Sequence, residues 1–247
     1  MAEIKDYLLD IIKHTHGLGI IDLVKVSNED GTTHIDGVND KKNVILLGTT
    51  HELVKEFSGS FGMPNLSKLN MLLGCNEYAE NANISLEVSK DKGPVSIHFT
   101  NALGDFKNDY RLMNQNVVQE KLKPIKFKQP KWDVEFSPTL ASINRLSFQA
   151  SVHSETETFT FKTDNNNNVI CSFGDAANHA GEFVFSSGAS GKLIDSNKWP
   201  TSYICSILKL NDSSASCKIS ISNESLMEIA IDSGLAQYNY YIVGFAG

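Results

Sequence analysis

The sequence predicts an α+β protein made of two similar domains, each with two helices packed on an antiparallel sheet. Three observations lead to this prediction. A basic segment containing prolines lies at the midpoint, the same order of helix and strand patterns occurs on either side of it, and matched turn signals lie near the end of each half. A chain of 247 residues that is 41% hydrophobic can bury one large core or two modest ones.

The midpoint segment, residues 121–131 (KLKPIKFKQPK), is predicted to be an extended connector. It contains five lysines and no acid, whereas residues 1–120 carry 11 bases and 17 acids and residues 132–247 carry 6 bases and 12 acids. Pro124 and Pro130 lack backbone donors and disfavour helix in the residue before each of them. We therefore predict an N-terminal domain over residues 1–120 and a C-terminal domain over residues 132–247.

Each half is predicted to begin with an amphipathic helix. The first has apolar residues at the i, i+3, i+4, i+7 spacing of one helical face: Ile4, Tyr7, Leu8, Ile11 and Ile12. In the second half, Ser137 and Pro138 are predicted to be the N-cap and first residue of a helix. The apolar residues of that helix are Leu140, Ile143 and Leu146. A second short helix follows a proline in each half, at Pro64 and at Pro200.

Alternating apolar and polar residues predict the strands that complete each half. They cover residues 82–88 and 95–99 in the first half and residues 217–221 and 226–231 in the second. Each half then closes with a glycine six residues before a tyrosine, Gly104 before Tyr110 and Gly234 before Tyr240. The shared order predicts an internal structural duplication. Because such sheets expose edges that can pair with another subunit, it also predicts assembly into a ring.

Several function classes are disfavoured by composition and motifs. The net charge of −7 argues against a protein that grips DNA tightly by neutralising phosphates. The four cysteines form no C-x-x-C pair, so we predict reduced thiols, no metal site and no cofactor. No apolar run approaches the ~18 residues of a membrane span. No G-x-S-x-G, H-E-x-x-H or P-loop pattern is present, and we expect a protein that is not an enzyme.

Three segments carry a resemblance to a known family: residues 216–245 (SCKISISNESLMEIAIDSGLAQYNYYIVGF), residues 61–74 (FGMPNLSKLNMLLG) and the basic connector. The first resembles a clamp pattern of two antiparallel strands, an acid and a glycine at the turn (Asp232, Gly234), and a tyrosine-rich final strand. On these segments the chain resembles the bacteriophage-type DNA sliding clamps, polymerase processivity factors similar to proliferating-cell nuclear antigen. The two-domain plan covers essentially the whole chain.

The resemblance implies a homotrimeric ring that encircles double-stranded DNA without sequence preference and tethers the replicative DNA polymerase. It implies the polymerase and a clamp loader as partners, no membrane, and action in the cytoplasm of the infected bacterial host. Helices would line the central hole and carry its cations. The candidate DNA-facing residues are Lys5, Lys13, Lys68, Arg145, Lys198 and Lys209. Ordinary solvated helix charges are the alternative interpretation of the same residues, and Arg145 and Lys68 are the preferred candidates.

The resemblance also implies an apolar pocket for short partner peptides beside the connector and the C-terminal domain. Its candidates are Leu122, Ile125, Phe127, Tyr240, Ile242 and Phe245. The alternative is that these side chains pack the connector onto its own domain. Two other functions stay open at this point, a β-rich structural protein of a phage tail or baseplate and an enzyme of unrecognised type.

Overall fold

The computed structural model describes residues 2–89, 93–122, 130–175, 177, 179–194, 197–211 and 216–245. The chain divides into two units, residues 1–126 with 233–238 and residues 127–232 with 239–247. The boundary at 126/127 lies within residues 121–131, of which residues 123–129 lie outside the described part. Residues 233–238 belong to the first unit, although the sequence analysis placed them in the C-terminal domain.

The first unit combines short helices with two antiparallel sheets. Its helices are α1 (Ile4–His14), α2 (Leu66–Leu73) and α3 (Gln115–Lys121). Its strands are β1 (Leu23–Glu29), β2 (Thr32–Val38), β3 (Val44–Thr50), β4 (Ser60–Pro64), β5 (Asn83–Ser89), β6 (Gly93–Thr100), β7 (Lys107–Arg111) and β8 (Met113–Asn114). The strand order is β3-β2-β1-β4-β8 in one sheet and β5-β6-β7 in the other.

Helix α1 forms where the apolar spacing predicts it. The Glu3 N–H donates to the Asp6 carboxylate at 2.8 Å, which satisfies one of the donors left open at a helix start. Leu8 and Ile11 are fully buried, and burying side chains of this size contributes roughly 1.5–3 kcal/mol each. The helix ends where the Thr15 hydroxyl donates to the Ile11 carbonyl at 2.6 Å.

Helix α3 is not predicted by the sequence pattern, and it adds a helix to the two expected in this unit. The Asn114 side chain caps it by accepting the Val117 N–H at 3.0 Å. Its one buried residue, Val118, packs over Gly62 of β4, where an added Cβ would lie 2.8 Å from the valine side chain. A helix that buries a single side chain has no apolar periodicity to detect.

The second unit also combines helices with two antiparallel sheets. Its helices are α4 (Leu140–Val152) and α5 (Thr201–Leu208). Its strands are β9 (Val134–Phe136), β10 (Thr158–Thr163), β11 (Val169–Gly174), β12 (Ala180–Ser186), β13 (Ser190–Gly191), β14 (Lys198–Pro200), β15 (Ser216–Ser222), β16 (Leu226–Asp232) and β17 (Ala236–Val243), whose first residues are counted in the first unit. The strand orders are β12-β11-β10-β14 and β13-β9-β15-β16-β17.

The start of α4 differs from the prediction. Its N-cap is Thr139, not Ser137, and Pro138 precedes the helix instead of occupying its first position. The Thr139 hydroxyl accepts the Ser142 N–H at 3.1 Å, and the Ser142 hydroxyl accepts the Thr139 N–H at 2.9 Å. This reciprocal capping box satisfies two backbone donors, whereas a cap at Ser137 would lack the matching side chain three residues later.

The two units repeat one topology. In each, a helix precedes a three-stranded meander, a fourth strand, a second helix and another meander. The order β3-β2-β1-β4 is matched by β12-β11-β10-β14, and β5-β6-β7 by β15-β16-β17. The last hairpins turn at Gly104 and Gly234, whose φ angles of 77° and 87° lie in the left-handed region that suits glycine. Tyr110 and Tyr240, six residues after these glycines, are both buried.

Candidate functional site

The six candidate cations differ in how far they reach solvent. Lys13 on α1, Lys68 on α2, Arg145 on α4, Lys198 at the start of β14 and Lys209 at the end of α5 are exposed. Lys5 on α1 is half-buried. Its ammonium donates to the carbonyl oxygens of Tyr78 at 2.6 Å and Ala79 at 2.8 Å. Two of its three donors are therefore used to hold α1 to the segment before β5, and Lys5 is the least suited of the six to bind a phosphate.

Helices α2 and α5 are the most favourable for an anion. Lys68 is the one charged residue of α2, and its exposed neighbour Met71 is uncharged. Helix α5 has no charged residue in its sequence TSYICSIL, and Lys209 follows it directly at the C-cap. Each cation thus belongs to a helix without acids, where no carboxylate of the same helix competes for it.

Helix α1 has a mixed surface. Asp6 and Lys13 are exposed, while Asp10 has only 11% of its side chain exposed. The Asp10 carboxylate accepts hydrogen bonds from the Ser233 hydroxyl at 2.9 Å and the Tyr238 hydroxyl at 2.8 Å. Asp10 therefore binds residues of its own unit, and Asp6 is the acid that faces solvent near Lys13.

Helix α4 presents an apolar surface around Arg145. The polar side chains of Thr139 and Ser142, at the start of this helix, form the capping box. The exposed side chains on this helix include Phe148, which is 66% exposed, and Val152, which is 54% exposed. An exposed phenylalanine and valine on adjacent turns give this side of α4 an apolar surface.

The candidate peptide-pocket residues fall into three groups. Leu122 is half-buried and lines a groove of about 370 Å³ in the first unit with Val38, Asn39 and Lys121. In the second unit, Tyr240 and Ile242 are fully buried, so they can support a pocket only from beneath, whereas Phe245 is half exposed. Ile125 and Phe127 lie outside the described residues.

The end of the chain that carries Phe245 is held to strand β14. The Lys198 N–H donates to the Phe245 carbonyl at 3.0 Å, and the Phe245 N–H donates to the Lys198 carbonyl at 2.8 Å. Gly244 permits this approach, because an added Cβ would lie 2.9 Å from the buried Trp199 ring. The exposed Phe245 ring is therefore displayed from a fixed backbone.

Strands β7 and β12 each lie at one end of a sheet. In the described part of the chain, β7 pairs only with β6, and β12 pairs only with β11. Their counterparts in the duplication are β17 and β3. In the first unit, β3 has residues of β17 as its neighbour, and the His51 N–H donates to the Leu235 carbonyl at 2.9 Å. An unpaired strand edge offers backbone donors and acceptors to another chain.

Within the described residues, no group of three or more histidine, cysteine, aspartate or glutamate side chains could hold a metal ion. Over the same residues, no helix has the length and apolar character needed to cross a membrane.

The network around Asp10 was missed by the sequence analysis. His14, four residues after Asp10, is buried, and its Nδ1 lies 2.9 Å from the Asp10 carbonyl oxygen and 3.3 Å from its carboxylate. The i, i+4 spacing on α1 was visible in the sequence. The partners Ser233 and Tyr238 lie more than two hundred residues away along the chain, so no local signal identifies them.

Three solved structures share this fold over nearly the whole chain. The structure of A. fulgidus PCNA with the C-terminal region of FEN-1 bound has a TM-score of 0.70 at 8% identity, covering 97% of this chain and 96% of that chain. PCNA from Thermococcus kodakaraensis has a TM-score of 0.68 at 9% identity, covering 99% and 98%. The PCNA2–PCNA3 complex from Sulfolobus tokodaii has a TM-score of 0.63 at 11% identity, covering 96% and 94%.

These likenesses confirm the predicted fold class, an α+β chain of two similar halves with the clamp fold of PCNA. No protein-family model and no curated protein matches the chain.

Proposed function

We propose that this chain is the subunit of a DNA sliding clamp, a ring that encircles duplex DNA and tethers the replicative DNA polymerase. The observation that carries the proposal is the likeness to PCNA over almost the full length of both chains. The proposal extends the sequence-based expectation of a bacteriophage-type clamp that acts in the cytoplasm of the infected bacterial host. Its role is to hold other proteins on DNA, with no catalytic step of its own.

The repeated topology supports ring formation. Strand β3 has residues of β17 as its neighbour, whereas its counterpart β12 and the counterpart of β17, strand β7, each have one free side in the described structure. Every copy thus has a free edge on β7 and a free edge on β12. Pairing β7 of one copy with β12 of the next is a head-to-tail contact. Such contacts close into a ring when the rotation between copies allows it. We propose a homotrimer, which would place six similar units around the DNA.

The charge distribution suits encirclement better than tight binding. A net charge of −7 gives little overall attraction for DNA. A closed ring needs little electrostatic attraction, because it encircles the duplex and cannot dissociate without opening. We propose that the exposed cations on or beside helices make transient phosphate contacts. Four of them are proposed for this role: Lys13, Lys68, Lys198 and Lys209. Phosphate contacts carry no sequence information, as sliding requires.

Partner peptides from the polymerase and the clamp loader would bind apolar side chains exposed on the ring. Leu122 in its groove and the displayed ring of Phe245 are the candidates accessible in the described structure. An aromatic or aliphatic anchor of the peptide would supply most of the binding energy, as at other small interfaces.

The proposal is tested by primer extension on a primed single-stranded circle, with the polymerase and loader of the same replication system. We expect longer products per binding event when this protein is added. A parallel assay measures retention of the protein on a nicked circle by gel filtration, before and after the circle is linearised. Retention that disappears on linearisation is the signature of topological binding. Unchanged product length together with equal retention on both DNA forms would refute the proposed function.

A further inference from the structure

The contact of α1 with the start of β17 provides a template for a contact between copies. In the first unit, Asp10 binds Ser233 and Tyr238, and Leu235 lines a shallow pocket with Asp6, Leu9, Asp10 and Lys13. The hairpin that leads into β17 therefore lies against one flank of α1. The second unit repeats α1 as α4 and β3 as β12, but the described structure places no hairpin beside them.

Aligning the buried residues of α1 and α4 identifies the residues of α4 that correspond to this flank. Both helices have buried apolar residues three positions apart: Leu8 and Ile11 in α1, Ile143 and Leu146 in α4. Aligning these pairs makes Arg145 the counterpart of Asp10 and Phe148 the counterpart of Lys13. The flank that faces a hairpin in α1 thus corresponds to a flank of α4 that carries a guanidinium and an exposed aromatic ring.

The hairpin that corresponds to the one before β17 lies between β6 and β7. Aligning the buried residues Tyr110 and Tyr240 makes Phe106 the counterpart of Ala236. The loop 101–106 is longer than its counterpart 233–235 and carries Leu103, which is 85% exposed, and Phe106, which is 42% exposed. Asp105 is exposed in the same loop, at the chain position that corresponds to Leu235.

The loop is held in shape by Asn101. The Asn101 side chain donates to Asp105 at 2.9 Å and to Glu77 at 3.1 Å, and it accepts the Phe106 N–H at 3.1 Å. A loop fixed by its own hydrogen bonds loses little conformational freedom on binding. Leu103 and Phe106 are therefore presented on a preorganised loop with a carboxylate beside them.

We propose that this loop of one copy docks on α4 of the next copy, with the Asp105 carboxylate paired to the Arg145 guanidinium. Leu103 and Phe106 cover Phe148 and Val152 in the same contact. The occupant is a second copy because loop and helix are complementary in charge and both expose apolar side chains. The loop and α4 also correspond to the hairpin before β17 and α1, which are in contact within the first unit. The inference rests on the proposed ring and adds what holds its copies in register, besides the strand edges.

The test is a charge exchange, measured by analytical ultracentrifugation of the full chain, whose subunit mass is 27.2 kDa. Arg145→Glu and Asp105→Arg are each expected to weaken self-association at least about ten-fold, because a close interfacial charge pair becomes a repulsive one. The double variant restores the pair with its sign reversed and is expected to recover association. Lys41→Glu, the same charge change on an exposed turn residue, is expected to leave association unchanged.

The outcomes separate this contact from the ring itself. Recovery in the double variant supports the contact and also shows that both substitutions are compatible with the folded chain. If the natural sequence associates and Arg145→Glu associates equally well, the contact is wrong while the ring stands. If Arg145→Glu stays assembled but loses retention on circular DNA, Arg145 binds phosphate instead, which also overturns the contact. If the natural sequence remains a monomer at every concentration, the proposed function fails together with this inference.

Discussion

The imidazole of His14 lies face to face with the phenol ring of Tyr238, with ring centroids 4.1 Å apart and ring planes within 1° of parallel. Both residues are buried, and the Tyr238 hydroxyl also donates to Asp10. The contact joins the last turn of α1 to a strand near the other end of the chain. Tyr238 is one of the residues 233–238 that belong to the first unit.

Replacing Tyr238 by phenylalanine keeps the ring but removes the hydrogen bond to the Asp10 carboxylate. Because a hydrogen bond to a charged group contributes about 1.5–3 kcal/mol, we expect the free energy of unfolding to fall by about that amount. Urea denaturation measures it. Tyr203→Phe, on the half-buried tyrosine of α5, is the matched control and should change the free energy little. Equal stabilities of the two variants would contradict this role of Asp10.

The N-cap of α4 can be tested by two neighbouring substitutions. Thr139→Ala removes the side chain that accepts the Ser142 N–H, and we expect a loss of about 1 kcal/mol in the free energy of unfolding. Ser137→Ala should have almost no effect, because the helix begins two residues later than its sequence suggests. A larger effect at Ser137 than at Thr139 in thermal denaturation would show that the cap is at the proline-preceding serine.

Buried thiols predict a loss of stability at alkaline pH. Burial raises the pKa of Cys217 from its ordinary value of 9.0 to about 12 and the pKa of Cys205 to about 11. The unfolded chain therefore releases these protons from about pH 9, while the folded chain retains them to higher pH. The stabilisation is complete below pH 9 and declines as the pH rises from 9 towards 12.

At pH 10 we expect Cys217 to account for about 1.4 kcal/mol of lost stability, since one pH unit corresponds to about 1.36 kcal/mol. Cys217→Ala will be less stable at pH 8 because of the cavity, but its unfolding free energy should fall less between pH 8 and pH 10. The comparison uses urea midpoints of both proteins at the two pH values. Parallel pH profiles would mean that Cys217 titrates normally in the folded chain.

Lys68 and Lys5 should behave differently in DNA binding if the proposed ring is correct. Lys68→Gln removes an exposed cation, so we expect the slope of log K against log salt to decrease by up to about 0.9, the value for one phosphate contact. Lys5→Gln removes a cation that already binds two carbonyl oxygens, so it should lower stability and leave the slope unchanged. Salt titrations of binding to circular duplex DNA measure both slopes. A larger decrease of the slope for Lys5→Gln than for Lys68→Gln would mean that Lys5 contacts the DNA.

Much of the fold follows from local pattern. The spacing of Leu8 and Ile11 predicts α1, because one side of a helix must be buried wherever it packs. The glycines at 104 and 234 mark the final hairpins, because these turns need a positive φ. Helix α3 escapes this reasoning because it buries only Val118. The start of α4 is misjudged because serine and proline are common at helix starts and the reciprocal bonds of Thr139 and Ser142 decide between neighbouring positions.

The candidate site was only partly accessible to such reasoning. Lys68 and Arg145 could be chosen as exposed cations from helical periodicity, and both are exposed. Lys5 shares the same helical signals as Lys13, but the carbonyls that bind it come from residues 78 and 79. Asp10 is likewise an acid of α1 whose partners, Ser233 and Tyr238, lie far away along the chain.

The sequence by itself determined the repeated order of helices and strands, the turns and the acidic balance, since each depends on residues close together in the chain. The tertiary structure decided which charges remain available. Lys5 and Asp10 form hydrogen bonds with distant residues, whereas Arg145, Phe148 and most of the loop 101–106 remain exposed. The physical reason is that a buried polar group must find a partner wherever the fold brings one, whereas periodicity records only which side of an element is buried.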